Sequence, residues 1–554
     1  MSKARIMALG GLSEDGKNMY VFEIDEDIFI VDCGIKYPNT SEQLGIEYII
    51  PDFRYILENK DRVKAVFITH GHDDVMAALP YLLQELDVDV YATALTARIL
   101  EREFASHGLR KKVKVVKRNS SLNVAGHKVY TFSVTQSIAD GIGIAFETGE
   151  GLIVYSSEFI NDYDMINDAF TMSIESLSQL HSRKVLALLS ESVGANKPGF
   201  TSPKHRITSI VERYFGDASK RIVITLYKQN LFRIIEVLEL ARKYKRKVFF
   251  SDPDHVRILK DVEELGYYRM PSGLLLDRKN FRNDDPNTVV IVSGSGNEVF
   301  THMNRIALGD DQVISLSEND QVIIASPIVP GTEKEGAAME DDLYIAGIPV
   351  AKIGARDVLS MHASVEDLKM MLNTLQPRYY IPVKGNYTSL IANAEIALQM
   401  GVTPDRIIIL DNGQFATLEG GKLTSTHDTL TLNDTLISGR DKLDIGGMVI
   451  KDRETLSTDG AIVLGVVLDF ATKELIGGPD IQSRGVIYLK DADYILEEVG
   501  NLLITTIQEM VAEGRYDNMK ARSEAKEKIS RYVLKQTGKR PMILPAIVEI
   551  NTEG

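Results

Sequence analysis

The sequence contains a single cysteine, Cys33, and has no long hydrophobic run. One cysteine cannot form an internal disulfide, which fits a reducing compartment. No apolar stretch approaches the length of about 18 residues that a membrane-spanning helix needs. The first residues also lack the apolar segment and the cleavage site of a secretion signal. We therefore expect a cytoplasmic protein that does not associate with membranes.

The chain also lacks an excess of positive charge. Its 63 lysines and arginines are outnumbered by 78 aspartates and glutamates, so the net charge is −15. Such a chain does not coat nucleic acid nonspecifically, although a local basic channel can still bind it. Hydrophobic residues at 44% and charged residues at 25% are typical of globular proteins and exclude a disordered chain. With 554 residues, and about 150 per domain, the composition indicates a large multidomain enzyme or a protein derived from one.

The order of the predicted elements indicates an α/β protein. Short apolar runs predict strands, and longer amphipathic runs predict helices. The predicted strands lie at 19–24, 27–31, 63–69, 221–226, 247–251, 287–293, 321–326, 379–383 and 406–410, and the predicted helices at 231–244, 365–375, 388–399 and 517–537. The alternation after about residue 205 is typical of a doubly wound parallel sheet. The last hundred residues or so predict two strands, two long helices and a strand, which make a small α+β domain.

A polar motif follows the predicted strand 63–69. It reads His70-Gly71-His72-Asp73-Asp74. Two histidines one residue apart on a tight turn can present both imidazoles to one metal ion, and Asp74 can reach a second ion beside it. The alternative is a surface turn that is polar without function. The position at the end of a buried strand favours the metal site, because α/β folds tend to place their chemistry there.

This motif resembles the signature of the metallo-β-lactamase superfamily. Further segments make the chain similar to the ribonuclease J branch of the β-CASP nucleases. These segments are Val31-Asp32-Cys33-Gly34, Ser190-Glu191-Ser192, Pro198-Gly199-Phe200-Thr201, Ser293-Gly294-Ser295, Ala325-Ser326-Pro327 and Pro382-Val383-Lys384-Gly385. The resemblance covers essentially the whole chain. It implies a metallo-β-lactamase αββα sandwich with an inserted doubly wound β-CASP domain and a small α+β C-terminal domain.

The resemblance also implies domain boundaries. We assign 1–205 to the first part of the metallo-β-lactamase domain and 206–350 to the β-CASP domain. Residues 351–440 return to the metallo-β-lactamase domain, 441–454 form a linker, and 455–554 form the C-terminal domain.

The chain departs from the family at the implied metal ligands. Val75 and Lys384 stand where the family keeps histidines of the second ion, and Gln136 replaces a histidine of the first. Glu158 replaces the bridging aspartate. Valine offers no donor atom, and an ammonium repels a divalent cation. The sequence therefore predicts at most one weakly held ion, zinc or manganese by resemblance.

The resemblance assigns roles to the remaining site residues. His70, His72 and Asp74 would hold the remaining metal, with Glu158 bridging or leaning in. Asp74 and His362 are the catalytic candidates, and His362 would contact the scissile phosphate together with Ser360. Glu191 stands where the family keeps an aspartate.

Several positions outside the metal ligands are candidates for RNA or phosphate contact. They are Asn230, Ser293, Ser295, Ser326 and Lys384. The alternative for Asn230 and Ser326 is a structural cap, and a lone Gly/Ser turn such as Ser293-Gly294-Ser295 is by itself weak evidence for a phosphate site. For Lys384 the alternatives are tolerated drift or a surrogate cation that neutralises Asp74 and Glu158 and attracts an RNA phosphate.

The resemblance implies 5′→3′ exonuclease and endonuclease activity on single-stranded RNA, in messenger decay and ribosomal RNA maturation. The lost ligands resemble those of the weaker of the two paralogues that many Gram-positive bacteria carry, so we expect weak catalysis. Homodimers or tetramers, and a hetero-oligomer with the active paralogue, are implied as well. One alternative is a non-catalytic RNA-binding and assembly subunit. Another is a small-molecule hydrolase of the superfamily, which the β-CASP insertion disfavours.

The C-terminal domain carries apolar residues at helical spacing, namely Ile495, Val499, Leu502, Leu503, Ile507 and Met510. A domain of this size can bury them internally, so a core role is the simpler interpretation. The family resemblance implies that this domain also supports dimerisation.

Overall fold

The computed structural model describes residues 2–38, 46–329, 331–354, 356–438, 441–443, 448–486 and 493–551. The chain divides into two compact units, 1–441 and 442–554. Within the described residues, no helix has the length and apolar character needed to cross a membrane.

The strands are β1 Lys3–Gly10, β2 Met19–Ile24, β3 Asp27–Val31, β4 Tyr48–Ile50, β5 Val63–Phe67, β6 Asp89–Ala92, β7 Lys114–Val115, β8 Ser120–Val124, β9 His127–Ser133, β10 Ile142–Thr148, β11 Gly151–Tyr155, β12 Val185–Glu191, β13 Arg221–Tyr227, β14 Lys247–Phe250, β15 Thr288–Gly294, β16 Asp320–Ile324, β17 Val350–Lys352, β18 Tyr379–Val383, β19 Phe415–Glu419, β20 Lys422–Ser425, β21 Thr435–Ser438, β22 Asp441–Leu443, β23 Ala461–Asp469, β24 Leu475–Arg484 and β25 Met542–Ile550. The helices are α1 Arg54–Glu58, α2 Asp73–Met76, α3 Leu79–Leu83, α4 Ala94–Ser106, α5 Ile174–His181, α6 Thr208–Phe215, α7 Leu231–Lys243, α8 Pro253–Glu264, α9 Glu298–Ala307, α10 Glu333–Ile345, α11 Val365–Leu375, α12 Tyr387–Gln399, α13 Met448–Thr458, α14 Asp493–Ala512 and α15 Asn518–Thr537.

Two sheets of the first unit pack face to face. One has the strand order β20-β19-β1-β2-β3-β5-β6-β7, and the other has the order β18-β12-β11-β10-β9-β8. Their shared core contains Phe22 and Phe29 from the first sheet against Phe146 from the second, with ring centroids 5.1 and 5.2 Å apart. Helix α4 covers the outer face of the first sheet, and α11 covers that of the second. The predicted αββα sandwich is confirmed.

The β-CASP domain is inserted between two neighbouring strands of this sandwich. β12 and β18 pair in parallel, for example Leu189 with Ile381, although the whole insertion separates them in sequence. The insertion contains a sheet of order β14-β15-β13-β16-β17 in which every pair is parallel. Apolar clusters lie on both of its faces, so its central strands β13, β15 and β16 are almost entirely buried. The predicted doubly wound sheet is therefore confirmed.

One predicted strand is wrong. Residues 406–410 do not form a strand; a 3-10 turn, Pro404–Arg406, precedes a single bridge between Ile407 and Tyr380. Ile408 donates one further backbone hydrogen bond to Tyr380, 2.8 Å long. The β-branched run imitates a strand, but the chain follows β18 for too short a distance to build a ladder.

The second unit has a sheet of order β24-β23-β25. Helices α14 and α15 pack on one face of it, and most of the apolar residues of α14 singled out above lie in that core, with Leu502 partly buried against it. The interpretation of these residues as core is confirmed. The opposite face exposes Val463, Leu544, Val548 and Ile550, each at least 42% accessible. Val463 and Leu544 are register partners across β23 and β25.

Candidate metal centre

The histidine motif forms a turn between β5 and α2, and its side chains meet Glu158. The Nε2 atom of His70 lies 3.6 Å from Oε2 of Glu158, and Nδ1 of His72 lies 3.7 Å from the same oxygen. With Asp74, these residues supply four ligand atoms within 4.8 Å of one another. His70 and Glu158 are buried, whereas the Asp74 side chain is 31% exposed. The structure thus brings together the four predicted ligands.

Three residues at strand ends around this cluster have left-handed backbone conformations. Asp32 follows β3 with φ 64°, Ser157 follows β11 with φ 58°, and Lys384 follows β18 with φ 56°. Non-glycine residues adopt this region rarely, and such strain is concentrated at functional sites. The turns at Ser157 and Lys384 carry the Glu158 and Lys384 side chains into the cluster.

His70 is oriented as a metal ligand. The Thr69 hydroxyl donates to Oδ1 of Asp32 at 2.9 Å and lies 2.9 Å from Nδ1 of His70. Because the hydroxyl proton is used on Asp32, the Thr69 oxygen accepts from Nδ1–H, which leaves the lone pair on Nε2. Burial lowers the pKa of His70 to about 3, so the ring is neutral. Among the described residues Nε2 has no hydrogen-bond partner.

Lys384 pairs with both carboxylates of the cluster. Its Nζ lies 2.6 Å from Oδ2 of Asp74 and also contacts Oε1 of Glu158. Asn18 donates a further hydrogen bond to Oδ2 of Asp74, 3.0 Å long. Burial alone would raise the pKa of each carboxyl, but the adjacent ammonium outweighs it and lowers the pKa of Asp74 and Glu158. Lys384 therefore lies between the two carboxylates, as the surrogate-cation alternative requires, while its role stays a prediction.

The donor set fits one divalent ion and not two. Two ligands that bind a tetrahedral ion at about 2.0–2.1 Å lie about 3.4 Å apart, close to the spacing of the His70 and His72 nitrogens from Glu158. A second ion would need Asp74 as a ligand, but Oδ2 of this carboxylate already accepts from Lys384 and Asn18. Val75 is fully buried and offers it no donor.

Gln136 is the residue that the family resemblance aligns with a histidine of the first ion. It is fully buried, and neither atom of its amide has a partner among the described residues. It lies against Gly141, where an added Cβ would come 2.0 Å from its Nε2. A buried amide without hydrogen-bond partners lowers the stability of the fold, and its neutral oxygen is a weak metal ligand.

His362 is joined to the cluster through Glu191 at the end of β12. Oε2 of Glu191 lies 2.8 Å from Nδ1 of His362, while Oε1 accepts from the backbone N–H groups of Phe159 and Ala363 at 2.8 and 3.0 Å. Glu191 thereby connects the segment that carries Glu158 to the segment that carries His362. Ser360 is exposed two residues before His362.

The ion pair between His362 and Glu191 predicts a pH-dependent stability. Burial disfavours the imidazolium, but the Glu191 carboxylate outweighs it and raises the pKa of His362 to about 9. The stabilisation is fully present below the unfolded pKa of about 6.5 and is lost as the pH rises through about 9. We expect the difference in melting temperature between wild type and His362→Gln to shrink from about pH 6.5 to about pH 9.5. A difference that stays constant over this range would contradict the ion pair.

The other predicted RNA contacts lie in the β-CASP domain and make internal hydrogen bonds. The Asn230 side chain caps α7 by accepting from Arg233 N at 3.0 Å. Ser293 is buried 2.8 Å from Nδ1 of His255, and Ser326 is buried 2.8 Å from the Thr225 hydroxyl. Ser295 lines a cavity of about 590 Å³ together with Asp73 of the histidine motif. Contact of these four residues with RNA stays a prediction.

Sequence reasoning missed Asn18 as a partner of Asp74 and Ser137 as a partner of His72. Oγ of Ser137 lies 3.1 Å from Nε2 of His72. Asn18 directly precedes the apolar run of β2 and is buried. The only signal for it in the sequence is a polar residue next to a run that is predicted to be buried. Such a signal marks a residue that needs a partner and does not say which one.

Four family models match the chain. They are "Metallo-beta-lactamase superfamily" over residues 12–154, "Ribonuclease J, beta-CASP domain" over 219–343, "Zn-dependent metallo-hydrolase RNA specificity domain" over 350–405 and "Ribonuclease J C-terminal domain" over 448–550. A solved structure of a protein of unknown function from Enterococcus faecalis is 13% identical, with a TM-score of 0.52. It covers 75% of this chain and 100% of its own, and it shows likeness of fold alone.

Two curated relatives cover nearly the whole chain. "Ribonuclease J 2" of Staphylococcus epidermidis is 30% identical and "Ribonuclease J 2" of Staphylococcus aureus is 31% identical, each over 99% of this chain and 98% of the relative. Since the matched segments follow one another in the order that the fold requires, from the histidine motif to the C-terminal unit, the chain belongs to the ribonuclease J family of metallo-β-lactamase/β-CASP ribonucleases.

Proposed function

We propose that this chain acts in the cytoplasm in RNA processing and decay, as a ribonuclease J-type protein whose phosphodiester hydrolysis is weak. Single-stranded RNA is the substrate, cut as a 5′→3′ exonuclease and an endonuclease. The observation that carries the proposal is the ammonium of Lys384 between Asp74 and Glu158, in a site that otherwise retains the family's paired histidines. The domain boundaries drawn from the sequence are part of the same proposal.

His70, His72 and Glu158 would hold a single ion, zinc or manganese, with Asp74 beside it. When bound, such an ion polarises a phosphate oxygen and lowers the pKa of a water molecule. His362, kept protonated by Glu191, would donate a hydrogen bond to the scissile phosphate, with the exposed Ser360 beside it. In a two-metal site the ions stabilise both the attacking and the leaving oxygen of the phosphodiester. Without the second ion's ligands one of these two oxygens is not stabilised, so we expect a slow reaction.

The proposal is tested by RNA affinity and hydrolysis measured together. Because the net charge opposes a polyanion, binding must come from local cationic groups, and phosphate contacts release counterions. We expect affinity for single-stranded RNA to fall about tenfold or more between 50 and 200 mM salt. We also expect slow metal-dependent cleavage. An absence of binding at low salt, or an affinity that does not respond to salt, would contradict the proposal.

A second candidate function is a non-catalytic RNA-binding and assembly subunit that supports an active ribonuclease J paralogue. The same ligand losses favour it, because Val75 and Lys384 remove two donors at once. The rate of cleavage by the highly purified chain separates the two functions. Cleavage that disappears in a His70→Ala/His72→Ala variant supports the ribonuclease, and cleavage that persists in it comes from a contaminant.

Assembly is proposed to use the exposed apolar face of the C-terminal sheet. Singly exposed apolar residues are ordinary, but neighbouring ones on one sheet face mark an interaction surface. We propose a second copy of this chain as the occupant, giving a homodimer or tetramer, and the active paralogue as the alternative occupant. Val463→Lys/Val548→Lys should lower the mass measured by light scattering to that of a monomer. Leu308→Lys, at an exposed apolar residue of the β-CASP domain, is the control. An unchanged mass would place the interface elsewhere.

A further inference from the structure

The position of the Lys384 ammonium has a consequence for how RNA is bound. Its side chain is 4% exposed, and Nζ lies between Oδ2 of Asp74 and Oε1 of Glu158. The backbone is held in place because the carbonyl of Lys384 accepts from Ser192 N at 3.0 Å, in the left-handed conformation described above. The Lys384 side chain is therefore a buried, fixed part of the cluster and not a mobile surface side chain.

One of the two oxygens that Asp74 could offer to a second ion is already saturated. Oδ2 of Asp74 accepts from both Lys384 and Asn18. A divalent ion would have to displace the ammonium and then stand beside it, which the repulsion between two cations opposes. Displacement would also leave the buried ammonium without its partners.

The charges show what the lysine replaces. Asp74 and Glu158 carry two negative charges, and Lys384 reduces their sum to minus one. The second ionised pair, Glu191 with protonated His362, is neutral. Without Lys384 an RNA phosphate would approach two uncompensated carboxylates, and the ammonium removes one unit of this negative charge.

We propose that Lys384 is a covalently built-in replacement for the second metal ion, so that this site receives the phosphodiester backbone of single-stranded RNA without a divalent ion. The inference rests on the proposed RNA-binding function and deepens it. The ammonium compensates carboxylate charge and thereby lowers the repulsion of an RNA phosphate. Unlike a metal ion, it does not lower the pKa of a water molecule. RNA binding is therefore retained while the rate of hydrolysis is low.

The first experiment measures RNA affinity and metal content of the full chain. After dialysis against zinc or manganese, we expect no more than one equivalent per chain by elemental analysis. The affinity for a single-stranded oligonucleotide should change less than about twofold when EDTA replaces manganese. Two bound equivalents, or binding that requires manganese, would overturn the inference and leave the proposed function intact. No RNA binding in either buffer would contradict both.

The second experiment removes the charge. Lys384→Met keeps the aliphatic stem, and we expect RNA affinity to fall about tenfold at low salt and the melting temperature to fall by about 5 °C, since it leaves the buried Glu158 and the partly exposed Asp74 without a cation. Lys64→Met is the matched control, because Lys64 lies on β5 of the other sheet and forms a partly exposed ion pair with Asp27. Wild-type RNA affinity and melting temperature in Lys384→Met would mean that Lys384 is a tolerated substitution without a role in RNA binding.

A charge-neutral variant covers the case in which Lys384→Met does not fold. Asp74→Asn/Glu158→Gln/Lys384→Met removes the carboxylate charges together with the ammonium. We expect it to fold with a melting temperature within a few degrees of wild type, about 2–3 °C, because no unpaired charge remains. A triple variant as unstable as the single variant would show that the lysine acts through its packing, which would overturn the inference.

Discussion

The variant Val75→His/Gln136→His/Glu158→Asp/Lys384→His should hydrolyse single-stranded RNA about 100-fold faster than the wild-type chain. These four changes restore the donors that the family resemblance implies and remove the ammonium. The remaining ligands are already in place, because ligand atoms of His70, His72 and Asp74 lie within 4.8 Å of one another. The measurement is single-turnover cleavage of an end-labelled RNA with manganese or zinc in excess.

All four changes are required together because a metal site needs its whole ligand set. The variant Val75→His/Gln136→His/Glu158→Asp restores three donors but leaves Nζ of Lys384 on Oδ2 of Asp74, a carboxylate that the second ion needs as a ligand. This triple variant is the control, and we expect it to remain as slow as wild type. A triple variant as fast as the quadruple one would show that Lys384 does not block the second ion.

Glu191→Ala should destabilise the first unit by about 3–5 kcal/mol. The carboxylate is 1% exposed and accepts from Phe159 N, Ala363 N and His362 at once. Its loss leaves two buried N–H groups unsatisfied and a partly buried imidazolium without its counter-ion. Unfolding by urea, followed by a probe in the first unit, measures the loss.

Glu191→Gln is the matched variant, because it keeps the size and one carbonyl oxygen for the two backbone N–H groups. We expect it to be less destabilised than Glu191→Ala and to lower the pKa of His362 in a proton NMR titration, since the carboxylate charge is removed. A His362 pKa that does not change would mean that another group holds the proton. Equal stability of Glu191→Ala and wild type would contradict the anchoring role.

Local patterns were sufficient to predict most of the fold. Alternating and continuous apolar runs predicted β2 and β3 at their observed bounds, and the amphipathic run 365–375 predicted α11. The run 406–410 failed because strand formation also requires a neighbour over the length of the run, which sequence composition does not report.

By itself the sequence determined which donors this chain has lost. At the positions where the resembled family keeps histidine ligands, a valine without a lone pair at 75, a neutral amide at 136 and an ammonium at 384 exclude the family's two-metal ligand set. Only the tertiary structure decided that the ammonium of Lys384 lies on Asp74, 310 residues away in sequence, that Asn18 saturates the same oxygen, and that Glu191 holds His362 across 171 residues. Contacts over such separations leave no periodic trace in the chain, because they form only when the ends of β12 and β18 are paired around an entire inserted domain.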